Sequence, residues 1–292
     1  MSALRVLQIP ETCAWNDYVR LQESHLAALG VEVIRPGLCR DEPGFTSADV
    51  SGRVRDALLR DVPDIVHVHW PEMLGRLLAE ALDLLRAMTA RGARLVQTVY
   101  DLAPHEPGAN GTVSFIDAVD SLTHGVHFFT KEHEHLARKI RGAPPSPALP
   151  LPHPRYPGLG PGAHPARVRP RAGRVPPGVP SVARVRRLLE RVEWVALPYR
   201  RVWSSGVLVA AAQTGCRILS PPPVGTDGYR ALLDGSAVVD PWDDDLAVRS
   251  WQRAVAAPAR PAVSTATGAP DLPDWREAAE AFSGFYGEVR QA

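Results

Sequence analysis

Short apolar runs alternate with segments of helical periodicity along the first half of the chain. Strands are predicted from the apolar runs at 5–9, 31–34, 64–68, 95–99 and 126–129. Helices are predicted from the periodic segments at 16–29, 47–60, 71–91, 112–121 and 131–141. Strict alternation of strands and helices favours a parallel sheet with helices on both faces. Ligands of such sheets bind beyond the carboxyl ends of the strands, where we expect the functional residues.

The second half of the chain has a weaker pattern. Residues 143–180 are rich in proline, glycine and arginine, which predicts a linker or irregular loop without a helix or inner strand. Beyond it, helices are predicted at 181–191, 205–214, 229–233, 244–256 and 274–289, and strands at 194–197, 217–219 and 237–239. The expected organisation is a Rossmann-like domain (1–142), a linker (143–180), a reduced Rossmann-like domain (181–270) and a final helical segment (271–292).

Composition, charge and cysteine spacing exclude several classes of protein but do not identify a function. The chain is 45% hydrophobic and 22% charged, as in ordinary globular proteins. A formal charge of +1 gives no reason to expect nucleic acid as a partner. The three cysteines are widely separated and form neither a disulfide framework nor a zinc motif. Because neither a secretory signal nor a membrane-length apolar run is visible, we expect a cytoplasmic protein without a transmembrane segment.

A polar island follows the predicted strand at 64–68. It reads His67-Val-His-Trp-Pro-Glu72. His69, Trp70 and Glu72 would offer a hydrogen-bonding and stacking surface for a sugar or cyclitol. In the alternative interpretation Trp70 closes the sheet edge, and for His67 we favour a hydrogen-bonded core position.

A second island follows the next predicted strand and contains Tyr100, Asp101, His105 and Glu106. Because parallel strands end at one edge of the sheet, we expect these side chains to converge with those of the first island. The alternative is that Pro104, His105 and Glu106 form a turn that holds loops together.

A third island precedes the predicted helix at 205–214. It contains Tyr199, Arg200, Ser204, Ser205 and Gly206. Free backbone amides at a helix N-terminus bind phosphate, and an arginine contacts two phosphate oxygens at once. A serine here is equally a plain helix cap, and both interpretations hold together.

Taken in order, these pieces resemble GT-B glycosyltransferases of the bacterial family 4-like type over most of 5–153 and 181–290. The resemblance is carried by Asn16-Asp-Tyr18, His67-Val-His-Trp-Pro-Glu72, Pro104-His-Glu106, Pro198-Tyr-Arg200 with Ser204-Ser-Gly206, and a closing helix from Trp275 to Tyr286. It implies an α/β fold with two Rossmann-like parallel-sheet domains, the second truncated. It further implies that the first domain holds the acceptor, that the second holds a nucleotide-sugar, and that the segment 271–292 crosses back to the first domain.

The resemblance also implies a function and its residues. The chain is expected to move a sugar from a nucleotide-sugar to a hydroxyl of a small-molecule or lipid-linked acceptor, in a bacterial biosynthetic pathway, without a metal or another cofactor. A retaining outcome follows from the resemblance alone, whereas an inverting route needs a base, for which Asp101 or His105 is suited. The acceptor site would comprise Asn16, His69, Trp70, Glu72, Tyr100 and Glu106, and the donor site Tyr199, Arg200, Ser204, Ser205, Gly206 and Thr226.

The chain departs from the family pattern at three places. Tyr100 and Asp101 stand where a histidine-asparagine pair is expected, and the paired donor-side glutamates would fall near Val202 and Ala210. The basic phosphate loop is not recognisable in 154–180. The absent glutamates and the missing phosphate loop suggest an alternative function, in which a non-catalytic homologue binds and stabilises another glycosyltransferase. A partner subunit or a second copy that supplies the missing half-site also fits.

The histidines suggest one further class of protein. His67, His69, Asp101, His105 and His153 are residue types of a metal-hydrolase site. A barrel hydrolase needs about eight βα units, more than the second half provides, so this class is the least favoured. His133 and His135 are expected on the solvated face of a charged helix.

Overall fold

The computed structural model describes residues 3–9, 17–35, 53–69, 79–100, 102, 110–142, 147–157, 182–192, 194–197, 205–220, 237–238, 249, 252 and 272–292. The chain divides into two compact units. The first comprises Met1–Leu151 with Trp275–Ala292, and the second comprises Pro152–Asp274. Within the described segments, no helix has both the length and the apolar character that a membrane crossing requires.

Strands and helices alternate along the described residues. The strands are β1 (Arg5–Ile9), β2 (Glu32–Ile34), β3 (Ile65–His69), β4 (Arg94–Thr98), β5 (Thr123–Phe128), β6 (Ala148–Pro150), β7 (Trp194–Ala196), β8 (Arg217–Ser220) and β9 (Ala237–Val238). The helices are α1 (Asp17–Ala28), α2 (Arg53–Arg60), α3 (Ala79–Thr89), α4 (Asn110–Leu122), α5 (Lys131–Arg141), α6 (Val182–Leu189), α7 (Gly206–Gln213) and α8 (Trp275–Gln291). The predicted α/β class is confirmed.

The first unit is built on a parallel sheet with the strand order β2-β1-β3-β4-β5-β6. The order reverses at β1, which pairs with β2 on one side and with β3 on the other. Such a reversal is a topological switch point, and ligands of open α/β sheets bind beyond the strand ends there. Gln8 is in register with His67 across this point, and His69 is in register with Thr98 of β4.

Period-two alternation gives the sheet two buried faces. On one face Val6, Ile65 and Val96 pack with residues of α1 and α8. On the other face Leu7, Val66 and Leu95 pack with residues of α2, α3 and α4. The helix α8 therefore completes the core of a sheet whose strands come from the other end of the chain.

The helix α8 approaches β5 closely at Gly125. A Cβ atom at Gly125 would lie 2.5 Å from Val289 Cγ2 and 3.0 Å from Phe285 Cζ. At the amino-terminal edge of the sheet, Asp64 accepts a hydrogen bond from the backbone N–H of Arg5 at 2.9 Å and lies 3.1 Å from the guanidinium of Arg290. The close approach at Gly125 and the ion pair of Arg290 with Asp64 hold α8 against the sheet.

The described part of the second unit contains a smaller parallel sheet with the order β7-β8-β9, together with α6 and α7. The short strand β6, which belongs to the first unit, lies within the range 143–180 that was predicted to be irregular. It is an edge strand of the described sheet, where proline is tolerated because one side needs no ladder hydrogen bond. The predicted helix 229–233 lies outside the described residues, as does most of 244–256.

Candidate functional site

Four of the sequence-predicted site residues lie within the described part of the chain. His69 and Tyr100 belong to the first unit, and Ser205 and Gly206 belong to the second. The others lie outside the described residues; they are Asn16, Trp70, Glu72, Asp101, His105, Glu106, Tyr199, Arg200, Ser204 and Thr226.

The carboxyl halves of four strands carry polar side chains on the face covered by α1 and α8. They are Gln8 of β1, His67 and His69 of β3, Thr98 of β4 and His127 of β5, and all are fully buried. The same face is apolar at the amino-terminal half of the sheet, where Val6, Ile65 and Val96 lie. Buried polar groups require hydrogen-bond partners. Because the side chains on this face change from apolar to polar toward the switch point, we expect them to bond to one another.

The network runs from the backbone carbonyl of Leu151, which directly follows β6, to the helix α8. His127 Nε2 lies 3.0 Å from the carbonyl oxygen of Leu151, which can only accept, so Nε2 donates and Nδ1 is left as an acceptor. The hydroxyl of Thr98 therefore donates to His127 Nδ1 at 3.1 Å and accepts from His67 Nε2 at 2.7 Å. His67 Nδ1 then accepts from the hydroxyl of Tyr286 at 2.6 Å. One carbonyl thus sets the direction of four hydrogen bonds.

A second, shorter network crosses the switch point. His69 Nε2 lies 2.5 Å from Gln8 Oε1, and His69 Nδ1 lies 3.2 Å from the hydroxyl of Tyr100. The two networks adjoin, since the ring centroids of His67 and His69 are 4.1 Å apart. His69 is fully buried, whereas Tyr100 is partly exposed.

Burial favours the neutral form of His67 and His69. Loss of hydration lowers the pKa of His67 well below its ordinary value, and the neighbouring His69 and His127 add to the effect. Burial, with His127 second, lowers the pKa of His69 in the same way. Burial also raises the pKa of the Tyr286 hydroxyl. Neutral rings with one donor and one acceptor nitrogen are what the directions of these hydrogen bonds require.

The arrangement does not suit a metal ion at His67 or His69. All four ring nitrogens of these residues lie within hydrogen-bond distance of side-chain oxygens. Across the described segments, no group of three or more His, Cys, Asp or Glu side chains has the geometry of a metal site.

In the second unit the described candidate residues lie at the N-terminus of α7. Ser205 caps the helix, because its hydroxyl oxygen accepts the Leu208 backbone N–H at 3.2 Å. A Cβ atom at Gly206 would lie 2.6 Å from the Tyr156 hydroxyl and 3.2 Å from His153 Nε2. Glycine thus allows Tyr156 and His153 to approach the first helical turn.

His153 is held in one tautomer beside this helix turn. Its Nδ1 donates to the carbonyl oxygen of Pro154 at 2.8 Å, so its Nε2 accepts from the Tyr156 hydroxyl at 3.3 Å. Burial lowers the pKa of His153 to about 4, although the bond to Pro154 opposes the shift. The Tyr156 backbone N–H donates to Gln213 Oε1 at 2.9 Å, which ties this segment to the far end of α7.

The fold of the chain is similar to that of solved GT-B glycosyltransferases. Sucrose-phosphate synthase from Thermosynechococcus elongatus is similar in structure, with 11% identity and a TM-score of 0.57 over 99% of this chain and 97% of that one. HepE from Anabaena in complex with UDP and glucose is similar at 11% identity and a TM-score of 0.51, over 99% of this chain and 98% of that one. No family model and no curated protein matches the chain by sequence. The predicted GT-B fold is therefore confirmed at the level of structure.

Sequence reasoning missed several residues of these networks. Gln8, Thr98 and His127 were not predicted, although they share the strand-end position of His67 and His69, and Tyr286 was named only as part of the closing helix. The core position expected for His67 is confirmed. The solvated position expected for His133 is wrong, because His133 and Ala137 form the buried stripe of α5 and the His133 ring lies edge-on to Phe128 at 5.8 Å.

Proposed function

We propose that the chain is a glycosyltransferase that moves a sugar from a nucleotide-sugar to a hydroxyl of a small-molecule or lipid-linked acceptor in a biosynthetic pathway. The observation that carries the proposal is the row of polar side chains at the carboxyl ends of β1, β3, β4 and β5, on a fold shared with glycosyltransferases. The row flanks the topological switch point of the sheet, where ligands of such sheets bind.

The first unit is proposed to hold the acceptor. Tyr100 follows β4, is partly exposed, and lies within hydrogen-bond distance of His69 of the polar row. Its hydroxyl would contact the acceptor while His69 supports it from within the core. The residues that follow the strand ends complete this proposed site; they are Asn16, Trp70, Glu72 and Glu106. Asp101 or His105 would orient or deprotonate the acceptor hydroxyl.

The second unit is proposed to hold the nucleotide-sugar at the N-terminus of α7. The free amides of this turn and the guanidinium of Arg200 would neutralise the diphosphate, which is why we propose a reaction without a metal. Tyr199, Ser204 and Thr226 would lie at the same ligand. HepE has been crystallised with UDP-glucose, so UDP-sugars are the first donors to test on this chain.

A second candidate function is a non-catalytic partner of another glycosyltransferase. Ala210, near which a donor-side glutamate would fall, is buried in α7 and carries no carboxylate. Tyr100 likewise replaces the expected histidine. These substitutions remove catalytic groups while leaving the fold intact.

A thermal-shift screen of the purified chain separates the two functions. The ligands are UDP, GDP, TDP, ADP and their sugars. A ligand that binds only the folded state at a hundred times its Kd adds about 2.7 kcal/mol to the free energy of unfolding. A selective shift that Arg200→Ala abolishes, in a variant that unfolds at the wild-type temperature, supports the enzyme. No shift with any nucleotide, together with co-purification of another glycosyltransferase, favours the partner.

A further inference from the structure

We infer that Gln8 is a positioning residue that sets the hydrogen-bond direction of Tyr100, so that Tyr100 presents an acceptor rather than a donor to a bound ligand. The inference deepens the proposed function and rests on it, because it assigns the chemistry of the group that Tyr100 recognises. It begins with Gln8, which lies on β1 at the topological switch point and is fully buried.

The first step fixes the tautomer of His69. Gln8 Oε1 is an amide oxygen and carries no hydrogen, so at 2.5 Å it can only accept from His69 Nε2. His69 is fully buried and neutral, and a neutral imidazole has one protonated nitrogen. The proton is on Nε2, and Nδ1 therefore has a lone pair.

The second step fixes the direction of the Tyr100 hydroxyl. It lies 3.2 Å from His69 Nδ1, and two acceptors cannot bond to one another, so the hydroxyl hydrogen points to the ring. With its hydrogen engaged, the phenol oxygen of Tyr100 is an acceptor for any further group. A sugar or cyclitol hydroxyl can donate to this oxygen, and so can an amine. A carbonyl, carboxylate or phosphate oxygen opposes it.

The ring of Tyr100 is held so that this direction is maintained. Its centroid lies 5.1 Å from that of Phe129 and 6.1 Å from that of Tyr18, which packs edge-on against it. Tyr18 also packs edge-on against His69 at 5.9 Å. Both partners of the Tyr100–His69 bond thus contact the same aromatic side chain of α1.

The test reads the His69 tautomer directly and does not need activity. Protein labelled with ¹⁵N-histidine is examined by two-bond proton–nitrogen correlation spectroscopy, and His69→Gln assigns the signals. The wild type is expected to show Nε2 protonated and Nδ1 unprotonated. A wild-type ring protonated on Nδ1 overturns the inference, whatever the variants do.

Two variants then distinguish the effect of Gln8 on the His69 tautomer from that of Tyr100. Gln8→Met keeps the unbranched shape but removes the amide oxygen, and it is expected to populate the Nδ1-protonated tautomer of His69. Tyr100→Phe is the matched control, and it is expected to keep the wild-type tautomer because Gln8 is still present. An unchanged tautomer in a folded Gln8→Met variant overturns the inference.

Gln8→Glu tests the reverse direction. A carboxylate at this position favours the imidazolium, both nitrogens of His69 then donate, and the Tyr100 hydroxyl hydrogen is released toward the ligand. A doubly protonated His69 in this variant supports the inference. A neutral ring protonated only on Nδ1 contradicts it, because a carboxylate, like the amide oxygen of Gln8, can only accept from Nε2.

Once a transfer reaction has been found, the effect of Gln8 on acceptor binding is measured by steady-state kinetics. Gln8→Met is expected to raise the KM for a hydroxyl acceptor about 2- to 10-fold with a smaller change in kcat, which corresponds to one neutral hydrogen bond. An unchanged KM in a variant that has lost the wild-type tautomer refutes the recognition step. If the chain transfers no sugar, the proposed function fails while the tautomer result still decides the role of Gln8.

Discussion

The hydroxyl of Tyr286 donates a 2.6 Å hydrogen bond to Nδ1 of His67, although 219 residues separate the two along the chain. The bond joins α8 to the central strands of the first unit. Gln22 of α1 approaches the same hydroxyl at 3.5 Å. A single phenol thus links the sheet with both helices that cover its polar face.

Thr98 connects two histidines, and its hydroxyl should matter more than its methyl group. Thr98→Val keeps the shape but deprives His67 Nε2 and His127 Nδ1 of their shared partner, which is expected to lower the free energy of unfolding by about 1–3 kcal/mol. Thr98→Ser keeps the hydroxyl and is expected to cost about 0.8 kcal/mol or less. Urea denaturation of the two variants checks this. Equal losses would contradict the assigned network.

Gly125 allows α8 to lie close to β5, so adding even a methyl group at this position is expected to lower the free energy of unfolding. Gly125→Ala places a Cβ 2.5 Å from Val289 Cγ2, and the required shift is expected to cost about 1–3 kcal/mol. Gly284→Ala on the exposed side of the same helix meets no atom within 4 Å and should instead stabilise by about 0.5–1 kcal/mol. Thermal unfolding of both variants and of the wild type checks this prediction. A neutral Gly125→Ala would show that α8 is less tightly seated.

The first unit should lose stability in mild acid because its buried histidines are neutral. His67, His69 and His133 have lowered pKa values, to about 4 for His133, where burial dominates and Arg141 adds to it. Below pH 6.5 the unfolded chain therefore binds more protons than the folded one. Each such histidine is expected to remove about 1.4 kcal/mol per pH unit as the pH falls toward its folded pKa.

His133→Leu isolates one part of this pH dependence. The variant removes one buried neutral imidazole, so its stability should fall less steeply than that of the wild type between pH 6.5 and pH 4. Urea midpoints measured at several pH values give the two slopes. Parallel curves would mean that His133 takes up a proton without unfolding.

Ser205 should stabilise α7 and, under the proposed function, also border the diphosphate. Ser205→Ala removes the cap to the Leu208 N–H and is expected to cost about 1 kcal/mol. Ser205→Asp keeps a capping oxygen and should restore stability, but its charge would repel a diphosphate. Calorimetric titration with the nucleotide found in the screen distinguishes the effects. Tight binding to Ser205→Asp would place the diphosphate elsewhere.

Local signals made much of the fold predictable from the sequence. The bounds of β1 and α5 match the predicted bounds at both ends. In α5 the ends are marked chemically, since Thr130 caps the helix and Gly142 adopts a positive φ of 93° after it. The edge strand β6 carried no such signal, because its proline-rich sequence is also that of a loop.

The polar networks could not be read from sequence in the same way. Residue type and spacing identified His67 and His69 as candidates. Their partners Gln8, Thr98 and Tyr286 are residue types common in any globular protein. These contacts exist because the register of neighbouring strands aligns positions distant in the chain. A sequence pattern predicts the face on which a side chain lies, and only the assembled sheet determines its neighbour.

The place of α8 in the first unit has a consequence for how the protein is made on the ribosome. The face formed by Val6, Ile65 and Val96 lacks the part of its cover that α8 provides until Trp275–Gln291 has been synthesised. Residues 152–274 are translated in between, which at 5–20 residues per second takes roughly 6–25 seconds. During that time the nascent first unit exposes the apolar part of this sheet face that α8 covers in the finished protein, and transiently exposed apolar surface favours aggregation.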